Sequence, residues 1–148
     1  MARTSSDIVI EAPPRRIMDV IADFGRYPSW ATGVATADVV SSHGDGRAEQ
    51  VHFVLDAAPI RDEYDLGYVW HDDSSVTWTL VEKGSMLTSM DGAYVLEPVG
   101  GGSGTRVTYQ LAVDVSIPLL GMLKRKAEKV IVDTALNGLK KRVEDHGG

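Results

Sequence analysis

Apolar and polar residues change their period twice along this chain. Ser6 to Glu11 alternates, with Ile8 and Ile10 set against Asp7, Val9 and Glu11, which is the pattern of a short strand with one covered face. Pro13 and Pro14 stop it. Proline is tolerated in the first turn of a helix, and Ile17, Met18, Val20, Ile21 and Phe24 then recur at helical spacing, so a short helix is expected to run up to Gly25. Pro28 keeps Tyr27-Pro28-Ser29-Trp30 from continuing that helix, and these residues read as a separate helical turn packed by its aromatics.

After Gly33 the period becomes two and stays so through six expected strands: Val34 to Ser42, Arg47 to Ala57, Ile60 to Trp70, Ser75 to Lys83, Met86 to Val99 and Thr105 to Ser116. The turn signals between them are His43-Gly44-Asp45-Gly46, Ala58-Pro59, His71-Asp72-Asp73-Ser74, Lys83-Gly84 and Gly100 to Gly104. Such short connections predict an antiparallel meander. One parity is apolar throughout (Val51, Phe53, Leu55; Tyr64, Leu66, Tyr68, Trp70; Val76, Trp78, Leu80; Tyr94, Leu96; Val107, Tyr109, Leu111, Val113), and the other carries Gln50, His52, Asp56, Arg61, Glu63, Asp65, Arg106 and Asp114. A sheet with one apolar face needs a cover.

The second change of period supplies it. Pro118 opens a proline-free segment reaching His146, in which Leu120, Leu123, Ala127, Ile131, Ala135, Leu139 and Val143 form a stripe. A helix of that length reaches roughly 40 Å at 1.5 Å per residue, so it must cross the whole sheet.

Composition narrows the function classes. The 148 residues are of single-domain length, 43% hydrophobic and 24% charged, a globular composition without disordered tracts. The chain has no cysteine, which removes disulfides, thiolate nucleophiles and cysteine-ligated metals and agrees with a cytoplasmic location. Met1 to Asp7 is polar, and no apolar run approaches the length of a transmembrane helix. The net charge of -6 divides into +3 for Pro118 to Gly148 and -9 for the rest. Nucleic acid is therefore not an expected partner, since only the basic helix face (Lys124, Arg125, Lys126, Lys129, Lys140, Lys141, Arg142) would suit a phosphate backbone, and such a face is ordinarily just solvated.

Strand, two short helices, six-strand meander and long terminal helix is the order of the helix-grip fold, an α+β architecture. Tyr27-Pro28-Ser29-Trp30, Gly104-Thr105-Arg106-Val107-Thr108-Tyr109 and Ile117-Pro118 resemble the polyketide cyclase/dehydrase and lipid-transport family of START-like (SRPBCC) proteins, over essentially the whole chain. The run from Pro118 to Glu128 looks like an actinobacterial branch of it. The resemblance implies a hydrophobic small-molecule ligand such as a lipid or polyketide, held without a cofactor in a cavity between sheet and helix. Such a cavity has roughly 300–1,000 Å³ and would be walled on the helix by Leu123, Ala127, Ile131 and Thr134.

Candidate site residues follow. Trp30, Tyr64, Tyr68, Trp70, Trp78, Tyr94 and Tyr109 offer large area with a polar handle, and Phe53 and Met90 add apolar wall; any one alone reads first as ordinary core, while at least two of the aromatic set are expected to line a cavity. In Arg61-Asp62-Glu63-Tyr64-Asp65, alternation turns Asp62 and Tyr64 to the apolar face, where with Tyr94 they suit general acid/base work on an aldol cyclisation or dehydration. The alternative is an ion-paired sheet edge. No metal site is expected: His43 and His71 fall in turns, His146 in the tail, and His52 alone on a polar face. Gly100 to Gly104 lacks the Lys-Ser/Thr of a phosphate loop and reads as a hairpin turn. Three functions fit: a binding module, a cyclase or dehydratase, and an interaction protein using the basic helix, in each case as a monomer or homodimer.

Overall fold

The computed structural model describes residues 4–31, 34–57, 60–82, 87–115 and 121–145. Their order is β1 (Thr4–Ile10), α1 (Pro14–Ala22), a 3-10 turn (Phe24–Arg26), α2 (Tyr27–Trp30), β2 (Val34–Ser42), β3 (Ala48–Ala57), β4 (Ile60–His71), β5 (Ser75–Glu82), β6 (Leu87–Val99), a second 3-10 turn (Gly100–Gly102), β7 (Gly104–Val115) and α3 (Gly121–Asp145). Seven strands form one antiparallel sheet in the order β1-β7-β6-β5-β4-β3-β2, so the first strand closes against the last and β2 is the opposite edge. The β6–β7 hairpin turns through Gly100, Gly101 and Gly102, whose φ values of 60, 75 and 96° lie in the left-handed region that only glycine enters freely. The expected turns at Ala58-Pro59 and Lys83-Gly84, and the helix opening at Pro118, lie outside the described residues.

The first helix ends at Ala22 rather than Gly25. Asp23 leaves the helix at φ -89°, ψ 73°, Phe24 turns into the core, and the Tyr27 hydroxyl donates to the Ile21 carbonyl, an acceptor orphaned by the helix end. Ile17, Met18 and Ile21 are fully buried beneath it.

The long helix faces the core differently from the expected stripe. Val132, Leu136, Leu139 and Val143 are buried, Ala135 is half-buried, and Ile131 is 40% exposed. At 100° per residue a strict spacing of four precesses, so Ile131 lies roughly 120° around the helix from Val143 whereas Val132 lies roughly 20° away. The side chains of Leu123 and Ala127 lie outside the described residues.

The helix also does more for β1 than cover it. The buried Glu128 accepts from the Thr4 hydroxyl (2.7 Å) and from the Val113 backbone N–H (2.8 Å), a group of β7 beyond the reach of β1. Lys140 Nζ donates to the Val9 carbonyl (2.8 Å), and Glu144 accepts from the Glu11 N–H (3.0 Å). Lys140, expected on a solvated face, thus joins Glu144 in dressing backbone groups at the β1 edge that would otherwise invite pairing.

Candidate functional site

The covered face of the sheet carries a continuous array of rings. Phe24 meets Tyr27 and Tyr68 with centroids 4.9 Å apart, Phe53 stacks on Tyr64 at 5.8 Å, and Tyr68 touches both Trp70 and Trp78 at 5.8 Å. Trp78 then reaches Tyr94 (5.4 Å) and Tyr109 (5.5 Å), which meet each other edge to face at 4.7 Å. Strand pairing dictates this adjacency: Phe53 is opposite Tyr64, Tyr68 opposite Trp78, and Tyr94 opposite Tyr109. Gly92, opposite Trp78, makes room for the indole, because a Cβ there would fall 2.3 Å from the ring. The backbone of α3 packs chiefly on β1, β7 and α1, and apart from Tyr109 of β7 the strand-borne rings rise from β3, β4, β5 and β6.

The array is polar at its tips. Burial raises the pKa of Tyr64, Tyr68, Tyr94 and Tyr109, with neighbouring Asp62 or tyrosines adding to the shift, so all four stay neutral phenols. Among the described residues none supplies a hydrogen bond to their hydroxyls. Tyr27, by contrast, is satisfied by Ile21, and the Trp70 Nε1–H by the Ala48 carbonyl at 2.7 Å. Asp62 is buried on the same face, accepts from the Glu63 N–H at 3.0 Å and has a further partner.

Of the sequence-derived candidates, Phe53, Tyr64, Tyr68, Trp78, Tyr94 and Tyr109 come together in this array, with Asp62 beside Tyr64. Met90 and Trp30 are half-buried against the same core, and Thr134 is half-buried on α3. Ile131 does not belong to the site, being turned to solvent. Phe24 and Tyr27 join the array although neither is among the expected site residues; their spacing of three, just before Pro28, is the available signal.

Two other features stand outside it. His52 is not alone: on the outer face of the sheet its Nδ1 lies 2.6 Å from Asp65 Oδ1, and Gln50 donates to the other carboxylate oxygen. The hydrogen bond to Asp65 raises the His52 pKa, while for Asp65 burial pulls upward and the bonds from His52 and Gln50 outweigh it. No group of three or more metal-ligating side chains occurs among the described residues, and none of the described helices is long and apolar enough to cross a membrane. The second feature is a half-open cleft of about 350 Å³ between α1, α2 and α3.

A curved antiparallel sheet gripping a C-terminal helix against two short helices is the helix-grip fold of START-like proteins, and known structures share it. A START superfamily protein from Mycobacterium smegmatis superposes with a TM-score of 0.90 at 19% identity over 99% of both chains, and a Thermus thermophilus protein with 0.81 at 24% over 99% of both. The ZhuI aromatase/cyclase from Streptomyces sp. R1128 gives 0.80 at 12%, covering 99% of this chain and 95% of its own. Residues 1–144 match the model of the polyketide cyclase / dehydrase and lipid transport family, and the chain belongs to that family. No curated protein matches it.

Proposed function

We propose that the ring array binds an apolar small molecule that carries hydrogen-bond acceptors, in the manner of a lipid or polyketide carrier. The observation that carries this reading is the set of hydroxyls on the buried residues Tyr64, Tyr68, Tyr94 and Tyr109, set among aromatic rings and without a protein partner among the described residues. None of these hydroxyls is a sealed, unpaired atom, so each keeps open space beside it in which a ligand acceptor can pair with it. Their raised pKa values suit donation rather than proton abstraction. The same reading keeps the chain as one domain in the actinobacterial branch indicated by Pro118 to Glu128.

One observation favours a second reading. Asp62 is a buried carboxylate within electrostatic reach of Tyr64, a pairing that suits a cyclase or dehydratase, and ZhuI and the di-domain ARO/CYC BexL share the fold.

Native mass spectrometry of freshly purified protein tests binding directly, the expected result being a co-purifying apolar compound. Replacing Tyr64 or Tyr94 with Phe should weaken that compound by about 0.5–1.5 kcal/mol, one hydrogen bond each, with Asp62→Asn changing little. A loss of turnover of about 10²–10⁴-fold in the Asp62 variant on a polyketide-like substrate, with affinity retained, would establish the enzyme instead. No bound compound, and no stabilisation by any lipid, quinone or polyketide, would refute both.

A further inference from the structure

We infer that the cleft between α1, α2 and α3 is a second binding site, separate from the ring array and built for a small aromatic carboxylate. Its lining comes from three segments: Arg16, Asp19 and Val20 of α1, Asp23 and Arg26 at the following turn, Trp30 of α2 and Arg142 of α3. Arg16, Asp19 and Val20 are spaced 3 and 1, one outward face of a helix whose opposite face is core, and Asp23 follows directly at its end. The floor is fixed, because α3 approaches the Trp30 carbonyl so closely at Gly138 that a Cβ there would lie 2.7 Å from it.

Charge and donor count point to an anion. Three guanidinium groups face two carboxylates in the lining, and Arg26 pairs with Asp23 only at 4.0 Å, both side chains being mostly exposed. Arg16 already has a partner, so the recognition falls to Arg26 and Arg142. Guanidinium groups gathered from separate segments repel one another until a carboxylate joins them, and their planar fork matches a carboxylate. The lining's single excess positive charge balances a monoanion rather than a phosphate dianion. Val20 and the Trp30 indole supply an apolar wall suited to a flat ring, and the volume of about 350 Å³ is at the small end of ligand sites. Trp30 Nε1 itself is fully buried and without a partner among the described residues, so the indole offers the cleft its ring rather than its N–H.

The three tryptophans give three indole resonances in a ¹H–¹⁵N spectrum, and Trp30→Phe assigns the relevant one. Benzoate is the probe, with benzyl alcohol as its uncharged match, at constant ionic strength. Benzoate should move the Trp30 resonance saturably at roughly millimolar concentration and leave Trp78 in place. Arg142→Gln and Arg26→Gln, both surface changes that should keep the wild-type melting temperature, should each weaken it about five- to tenfold, the size of one partly exposed charge-assisted contact. Absence of a shift, equal binding of benzyl alcohol, unchanged affinity in both arginine variants, or a shift led by Trp78 would each overturn the proposal. Only the last would point to the ring array, so this test and that of the array fail separately.

Discussion

Replacing Gly92 with alanine tests the ring array at its tightest point. Two effects oppose each other there. Gly92 is in the interior of β6 without positive φ, so the backbone alone favours alanine by about 0.5–1 kcal/mol. Against this, the added Cβ falls 2.3 Å from Cε2 and Cζ2 of Trp78 and 2.5 Å from its Nε1, so the indole must move. Tyr68, Tyr94 and Tyr109 flank it at centroid distances of 5.8, 5.4 and 5.5 Å, so a shift away from the new Cβ presses on a neighbouring ring. Overpacking of this kind costs about 1–3 kcal/mol. Alternatively the indole swings out and re-exposes apolar area at about 25 cal/mol per Å². Net destabilisation of about 1–2 kcal/mol is expected from these opposing terms, read from urea denaturation, together with a fall in the near-ultraviolet circular dichroism of the ring array. In a Trp78→Leu background the Cβ has room, so the alanine should become neutral or stabilising. Simple additivity of the two changes, or a Gly92→Ala protein as stable as wild type, would show that the indole does not lie over that glycine.

Glu128→Ala should cost about 2–3 kcal/mol in chemical denaturation, because it strands the Val113 N–H and the Thr4 hydroxyl together. Glu128→Gln, which keeps an acceptor, should cost less. The His52–Asp65 pair predicts a pH window: the raised His52 pKa contributes stability below about 6.5, lost as pH rises through the folded value, and the lowered Asp65 pKa contributes above about 3.8, lost as pH falls through its folded value. The stability difference between wild type and His52→Gln should therefore peak near pH ~5 and shrink by pH ~8; a flat difference across that range rejects the pairing. Treatment with a chelator should leave the melting temperature unchanged, and a drop of several degrees would reveal a metal site.

Most of the fold was legible because period-two alternation survives wherever one face is buried. The boundaries of β2 to β7 agree with the alternation to within a residue, β2 from Val34 to Ser42 at both ends, whereas β1 begins at Thr4, two residues before the expected Ser6. The array was legible for the same reason: rings of one parity on adjacent strands must meet. Other features were less so. Ile131 misled because a spacing of four resembles a stripe locally and precesses over three turns. Glu128 and Asp65 look like surface charges in one dimension; their partners, Val113 and His52, are set by how strands and helix dock. The cleft was invisible because Arg26 and Arg142 converge from segments more than a hundred residues apart.

The dressing of β1 by α3 has a consequence for how the chain reaches this state. Thr4 and Glu128 are 124 positions apart and Glu11 and Glu144 are 133, whereas strands β2 to β7 are joined by successive hairpins. Closing so long a loop is entropically costly, and pairings of high sequence separation are the slow ones. The meander therefore has a local route to forming, and β1 and α3 have none until almost the whole chain is available. During synthesis the first strand emerges from the ribosome well before its neighbour β7, and the ring-bearing face stays open to solvent through that interval. Aggregation or chaperone capture is accordingly expected at this stage, and variants that weaken the Glu128 or Glu144 contacts should prolong it.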